Sequence, residues 1–121
     1  MSLLQLLAIG FGGSLGAVAR FQLDRVVTLR SDTTFPIGTF IVNISGALLL
    51  GVLVGLALPS DTQRFFAVGI LGSFTTFSTW MFETHRLAED GQGLFAALNI
   101  AASIVVGILA VWLGREMGGL L

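Results

Sequence analysis

The stretch from Gly72 to Trp80 contains the residue types in this sequence that point most clearly to a chemical role. Five of its nine side chains are hydroxyls and three are aromatic, although it lies in a window without charge from Phe65 to Phe82. A helix that faces only lipid has no use for that mixture. We therefore expect these residues to line a polar passage, at a point where a membrane helix is broken.

Local backbone preferences indicate where the break should fall. Serine and threonine compete with the helix backbone for hydrogen bonds, and glycine lowers helix propensity, which predicts a break over Gly72–Thr75. Carbonyl oxygens freed there must meet protein, water or an ion, and broken membrane helices use such carbonyls to hold cations. Phe77 and Trp80 follow on one face. They either pack against neighbours or turn electropositive ring edges toward a small anion.

Polar residues recur inside two other apolar windows. Asn43, with Thr39 one turn earlier on the same face, either joins two helices or donates to an anion. Asn99 and Ser103 are four residues apart, so they share a helix face. That face forms either a helix–helix seam or the water-exposed wall of a pathway.

Charged residues stand near the ends of two windows. Arg20 either extends its guanidinium to the membrane interface or offers a positive vestibule to anions. Glu83 ends the third window, where a charge at the interface is ordinary.

The composition places the whole chain in a membrane. Hydrophobic residues make up 55% of its 121 residues and charged residues 11%, whereas soluble domains carry about 25% charge. A net charge of −1 argues against a nucleic-acid partner. With a single histidine, no cysteine, no triad and no acid pair within reach, we expect neither a metal cluster of the usual kind nor an enzyme.

Four windows without charge predict four transmembrane helices in one domain, residues 1–121. A span needs roughly 20 mainly apolar residues. We place the helices near residues 3–25, 35–58, 62–87 and 93–115. The predicted fold class is an all-α integral membrane protein whose third helix is broken mid-membrane.

The arginines give almost no preference for one orientation in the membrane. Positive charge on short loops normally sets orientation, and here two arginines lie on the side of the N-terminus and three on the other. We therefore expect insertion in both orientations, and an antiparallel homodimer. The arginines counted are Arg64 and Arg115 on one side and Arg25, Arg30 and Arg86 on the other, with Arg20 just inside the first span.

Four motifs together resemble those of the Fluc (CrcB) family of small fluoride channels. One motif falls in each span, so the resemblance covers nearly the whole chain, and the hydroxyl-rich third motif is the most specific. The motifs are Gly13-x-x-Gly16-Ala17-x-x-Arg20-Phe21, Gly38-Thr39-x-x-Val42-Asn43-x-x-Gly46, Gly69-x-x-Gly72-Ser73-Phe74-Thr75-Thr76-Phe77-Ser78-Thr79 and Asn99-x-x-x-Ser103-x-x-x-Gly107.

The resemblance implies a passive channel that exports fluoride across the plasma (inner) membrane as an antiparallel, dual-topology homodimer with two pathways. Arg20 and Glu83 would stand near the pathway ends. A structural sodium ion on the dimer axis would be held by the backbone carbonyls of Gly72 and Thr75 from both subunits. The residues that the resemblance assigns to each fluoride pathway are Phe77, Trp80, Asn43, Ser103, Thr39 and Thr79.

Two departures from the family pattern and one alternative function remain. Ser73 stands where the family motif more usually has a second glycine. Trp80 stands where the family motif usually has phenylalanine; an indole keeps an electropositive edge and adds an N–H donor, so we expect anion contact to persist. The alternative is a small proton-coupled multidrug exporter, which is also built from four helices in a dual-topology dimer. That mechanism needs a carboxylate deep in a span, and the first span has none while Glu83 lies near an end.

Overall fold

The computed structural model describes all 121 residues, Met1–Leu121, and every regular element in it is helical. Four stretches are long and apolar enough to cross a membrane, which confirms the predicted number of spans: Leu3–Leu29, Ile37–Leu56, Ser60–Glu89 and Gly93–Gly119. We name the first α1, the second α2 and the fourth α6. The third contains α3 (Ser60–Arg64), a π-helical segment (Phe65–Leu71), α4 (Gly72–Phe74) and α5 (Ser78–Glu89).

The ends of the spans follow local backbone chemistry. α2 begins at Ile37, after Pro36, and α3 begins at Ser60, after Pro59, because proline has no N–H to contribute to a helix interior. α2 ends where Ala57 turns left-handed, with φ of 51°. α1 and α6 each continue about one turn beyond the predicted ends at residues 25 and 115.

Glycines let α2 and α6 lie against each other along most of their length. A Cβ atom built on Gly51 would overlap the carbonyl oxygen of Val111, and one built on Gly114 would overlap that of Leu48. Backbones this close leave no room for any side chain at those positions, which is the use that membrane helices make of small residues. The same holds one turn on at Gly55 and Gly118.

The third span changes partners midway. Its first half packs on α1, where Gly16 lies directly against the backbone of Ile70, and its second half, α5, packs on α6. The change happens at Thr75–Phe77, the three residues that are not helical. The break therefore takes the chain from one neighbouring helix to another.

The predicted position of the break, Gly72–Thr75, was wrong for three of its four residues, since only Thr75 lies outside the helix. Gly72 is helical, with φ of −61° and ψ of −30°, and helix persists to Phe74; Thr75 is the first extended residue, with φ of −82° and ψ of 160°. The physical reason is that low helix propensity alone does not open a helix in lipid, where a freed N–H finds no water. The helix opens at Thr76, where the side chain of Asn43 on α2 supplies new hydrogen-bond partners for the backbone.

Candidate functional site

Asn43 holds the broken backbone through two hydrogen bonds to one residue. Its Nδ2 donates to the carbonyl oxygen of Thr76, and its Oδ1 accepts from the Thr76 N–H, each over 2.9 Å. The amide thus replaces the bonds that Thr76 would make within a continuous helix. Of the two readings left open for Asn43, the structure therefore shows the one that joins two helices. A primary amide has a second N–H, and no protein acceptor bonds it.

We call the two hydrogen bonds between Asn43 and Thr76 the clamp. The clamp leaves backbone carbonyls at the break without hydrogen-bond donors. In a continuous helix the Thr76 N–H would bond the Gly72 oxygen, but here it bonds Asn43. The Thr79 N–H, which would bond the Thr75 oxygen, instead bonds the Thr76 hydroxyl over 3.2 Å. No other donor within the protomer meets the Gly72 or Thr75 oxygen. Oxygen atoms of this kind suit a cation, so these two fit the sodium ligands that the resemblance implies.

Phe77 and Trp80 form an edge-to-face pair just beyond the break. Their ring centroids are 5.7 Å apart and the ring planes meet at 74°. Phe77 is 71% exposed in the protomer, an unusual state for a phenylalanine outside a lipid or subunit contact. Both rings border an open groove of about 450 Å³ that also exposes Asn43, Gly72 and Thr75.

The indole N–H of Trp80 has a partner inside the protein. It donates to the carbonyl oxygen of Asn99 on α6 over 3.1 Å. The sequence suggested that this N–H is a donor available to an anion, and the structure assigns it to the α5–α6 contact instead. Asn99 itself is 1% exposed, so at this residue the polar stripe on α6 is part of a helix–helix seam.

Ser103, one turn beyond Asn99 on α6, makes no hydrogen bond across a helix contact. Its Oγ atom is buried and has no hydrogen-bond partner within the protomer. A buried hydroxyl without a partner costs free energy of about 1–3 kcal/mol.

Arg20 lines a small cavity of about 120 Å³ between α1, α2 and the break. Its Nε is buried and has no hydrogen-bond partner within the chain. Thr39 and Thr79 line the same cavity, together with Asp24 and Thr76. Two predicted pathway residues and one predicted vestibule residue therefore meet around one polar space.

Glu83 connects that region to a wider mouth. Its carboxyl group accepts a hydrogen bond from the Thr39 hydroxyl, and it also lines an open cavity of about 330 Å³. Hydroxyl-bearing residues from the end of α1 and the α1–α2 connection border this mouth, with Arg86 and Asp90 on the other wall. Near Glu83 the structure therefore shows a polar opening at one end of the helix bundle.

Three residues of this region were missed from the sequence: Asp24, Thr76 and Thr84, whose hydroxyl accepts a hydrogen bond from the Asn99 side chain. Asp24 follows Arg20 by four residues, and Thr84 follows Trp80 by four, so helical spacing could have placed each on the relevant face. Nothing in the sequence distinguished Thr76 from its hydroxyl neighbours, because its role depends on an amide supplied by α2.

Comparison with known proteins identifies the family. Residues 7–115 match the family model described as CrcB-like protein, Camphor Resistance (CrcB). The chain is 52% identical over 103 residues to a Mycobacterium bovis protein named fluoride-specific ion channel FluC 2, covering 85% of this chain and 82% of that one. It is 38% identical over 116 residues to the FluC protein of Rhodospirillum rubrum, covering 90% of each. A match over most of the chain, together with identity at this level, shows that the chain belongs to the CrcB family.

Proposed function

We propose that this protein is a fluoride-selective passive channel that exports fluoride from the cytoplasm and so lowers its toxic accumulation. The observation that carries the proposal is the match over most of the chain to proteins named fluoride-specific ion channels. The geometry of the break supplies a physical basis for it. Hydrogen fluoride enters a cell as a neutral molecule, ionises in a less acidic cytoplasm, and leaves through the channel as the anion.

The aromatic pair supplies weak anion contacts. A small anion must exchange its water shell for other donors without meeting a site so favourable that it cannot leave. The electropositive edges of Phe77 and Trp80 meet that requirement, since a ring edge attracts an anion less strongly than a fixed cation does. No arginine borders the groove beside this pair.

Conventional donors supplement the ring edges. Asn43 has one N–H without an acceptor, and the Ser103 hydroxyl is buried without a partner. Thr39 and Thr79 line the smaller cavity together with Arg20, whose positive charge favours the entry of an anion. In this account Glu83 lies near one mouth of the pathway.

The proton-coupled exporter gains no support from the structure. All carboxylates in the helices lie within the first or last two turns of a span, including Asp24 and Glu83. A carboxylate that trades protons for cationic drugs must lie deep in a span.

The proposal includes an antiparallel homodimer in the plasma (inner) membrane. Its support is the near-equal arginine count on the two sides and the groove that exposes Phe77, Gly72 and Thr75 in a single protomer. A pair of compartment-specific reporters fused to the C-terminus of the chain is expected to give signal on both sides of the membrane. Signal confined to one side would contradict dual topology.

The proposal also includes a structural sodium ion between the two subunits. Its support is the pair of free carbonyl oxygens, Gly72 and Thr75, which two protomers would double to four ligands. Backbone atoms cannot be deleted by mutation, so the test is the melting temperature of the detergent-purified protein. We expect it to rise in sodium relative to potassium at equal ionic strength. Equal melting temperatures in the two salts would contradict the site.

Ion flux from liposomes tests the function itself. We expect vesicles reconstituted with the protein to release fluoride, measured with an ion-selective electrode, and to release chloride no faster than empty vesicles do. Absence of fluoride release, or equal rates for the two halides, would contradict the proposal.

The exposed ring of Phe77 gives a second test in the same assay. Phe77→Ile removes the electropositive edge while keeping an apolar side chain, so we expect at least a tenfold loss of fluoride flux, or about 1.4 kcal/mol. Phe11→Ile is the matched control, since Phe11 is 65% exposed on α1 and lines none of these cavities. We expect the control to conduct normally. Unchanged flux in Phe77→Ile would assign Phe77 to packing alone.

A further inference from the structure

Trp80, Thr84 and Asn99 are joined in a closed circuit of hydrogen bonds between α5 and α6. The indole N–H of Trp80 donates to the Asn99 carbonyl oxygen over 3.1 Å. The Asn99 side chain donates from Nδ2 to the Thr84 hydroxyl, and that hydroxyl donates to the Trp80 carbonyl oxygen, each over 2.8 Å. We call this set of three residues the tryptophan circuit.

The direction of each bond in the tryptophan circuit is determined by its donors. The Thr84 hydroxyl has one hydrogen, and the carbonyl oxygen of Trp80 can only accept, so that hydrogen points to Trp80. The hydroxyl must then accept from Asn99, which sets the orientation of the Asn99 amide. The indole nitrogen can only donate. Each of the three residues therefore both gives and receives one bond, while the Asn99 Oδ1 atom is buried without a partner.

Burial makes the circuit costly to open. Asn99 is 1% exposed and Thr84 is 9% exposed, so neither has water available as a substitute partner. The circuit holds Trp80 at two points, its ring nitrogen and its backbone carbonyl. Because one of these points is on the ring itself, the circuit limits rotation of the indole as well as the separation of α5 from α6.

We propose that Thr84 and Asn99 are positioning residues that keep the indole N–H of Trp80 turned onto α6 and away from the anion pathway. This inference rests on the proposed fluoride channel and adds to it a residue, Thr84, that the motifs do not contain. With its N–H held by Asn99, Trp80 presents an anion with ring carbons beside Phe77, much as a phenylalanine would. A free N–H would be a stronger donor than a ring edge and would deepen the site, which slows release of the ion.

The test uses tryptophan fluorescence together with flux. In a Trp112→Phe background Trp80 is the only tryptophan, because the chain has two, and Trp112 lies 58% exposed on α6 away from the site. Thr84→Val keeps the shape of the side chain and removes the hydroxyl, whereas Thr84→Ser keeps the hydroxyl. The fluoride-efflux assay and the emission and iodide quenching of Trp80 are measured for each variant, after size-exclusion chromatography confirms a folded protein.

We expect Thr84→Val to shift the Trp80 emission, to increase its quenching by iodide and to lower fluoride flux about tenfold. Thr84→Ser is expected to match the parent in all three. In a Trp80→Phe background, Thr84→Val is expected to change the flux of that background less than about twofold, because no indole N–H is left to release. If Thr84→Val does not yield folded protein, Thr84→Ala replaces it with the same expectations.

Two results would overturn the inference while leaving the proposed function intact. One is parental flux or parental Trp80 emission in the folded Thr84→Val or Thr84→Ala variant. The other is an equal loss of flux with tryptophan and with phenylalanine at position 80, which would make Thr84 a residue of general packing. Failure of the proposed function would be distinct, since the parent protein itself would then release no fluoride.

Discussion

A backbone that leaves the helix inside a membrane must find hydrogen-bond partners in the protein, because lipid offers none. In this protein Asn43 meets that constraint. Its amide bonds both the N–H and the carbonyl of Thr76 over 2.9 Å, which satisfies one residue completely at the point where the third span opens. An asparagine suits the task because its short side chain carries a donor and an acceptor on two separate atoms, which can meet the carbonyl and the N–H of one residue together.

The rest of the site follows from that one pair. Since Thr76 is bonded to Asn43, the carbonyl oxygens of Gly72 and Thr75 lose their helical donors and become available to a cation. Beyond the break the chain turns onto α6, which brings the Phe77 and Trp80 rings together at the edge of the groove. The glycines let α2, which carries Asn43, pack closely on α6, and α5 packs on α6 as well. Asn43 and α5 therefore both lie near the break.

Much of this arrangement could be predicted from the sequence, because it depends on local properties. Apolar windows locate the four spans, and the hydroxyl-rich run from Gly72 to Trp80 locates the site. The position of the break could not be found in this way. The position of the break depends on which backbone N–H bonds the Asn43 amide of α2. Helical periodicity predicts the face on which a residue lies, but it does not predict the residue's partner on another helix. Helix propensity therefore predicted a break that begins at Gly72, whereas the residue that Asn43 bonds is Thr76.

The same limit explains the other differences. The Trp80 N–H was interpreted as free for an anion because its acceptor, the Asn99 carbonyl, belongs to a helix that follows a turn later in the chain. Thr84 and Asp24 were overlooked although each is four residues from a residue that the sequence singled out, Trp80 and Arg20 respectively. For Asn43 the two roles considered at the outset are compatible, since one N–H of its amide serves the clamp and the other remains without an acceptor.

Fluoride flux through the Asn43→Asp variant tests most directly whether the clamped break is the anion pathway. The aspartate places a negative charge beside the pathway and sets an oxygen against the Thr76 carbonyl, so the account predicts no measurable fluoride release from liposomes. Asn43→Ala is the matched variant without the charge, and the account predicts reduced but measurable release. Full conduction by a folded Asn43→Asp channel would contradict the account.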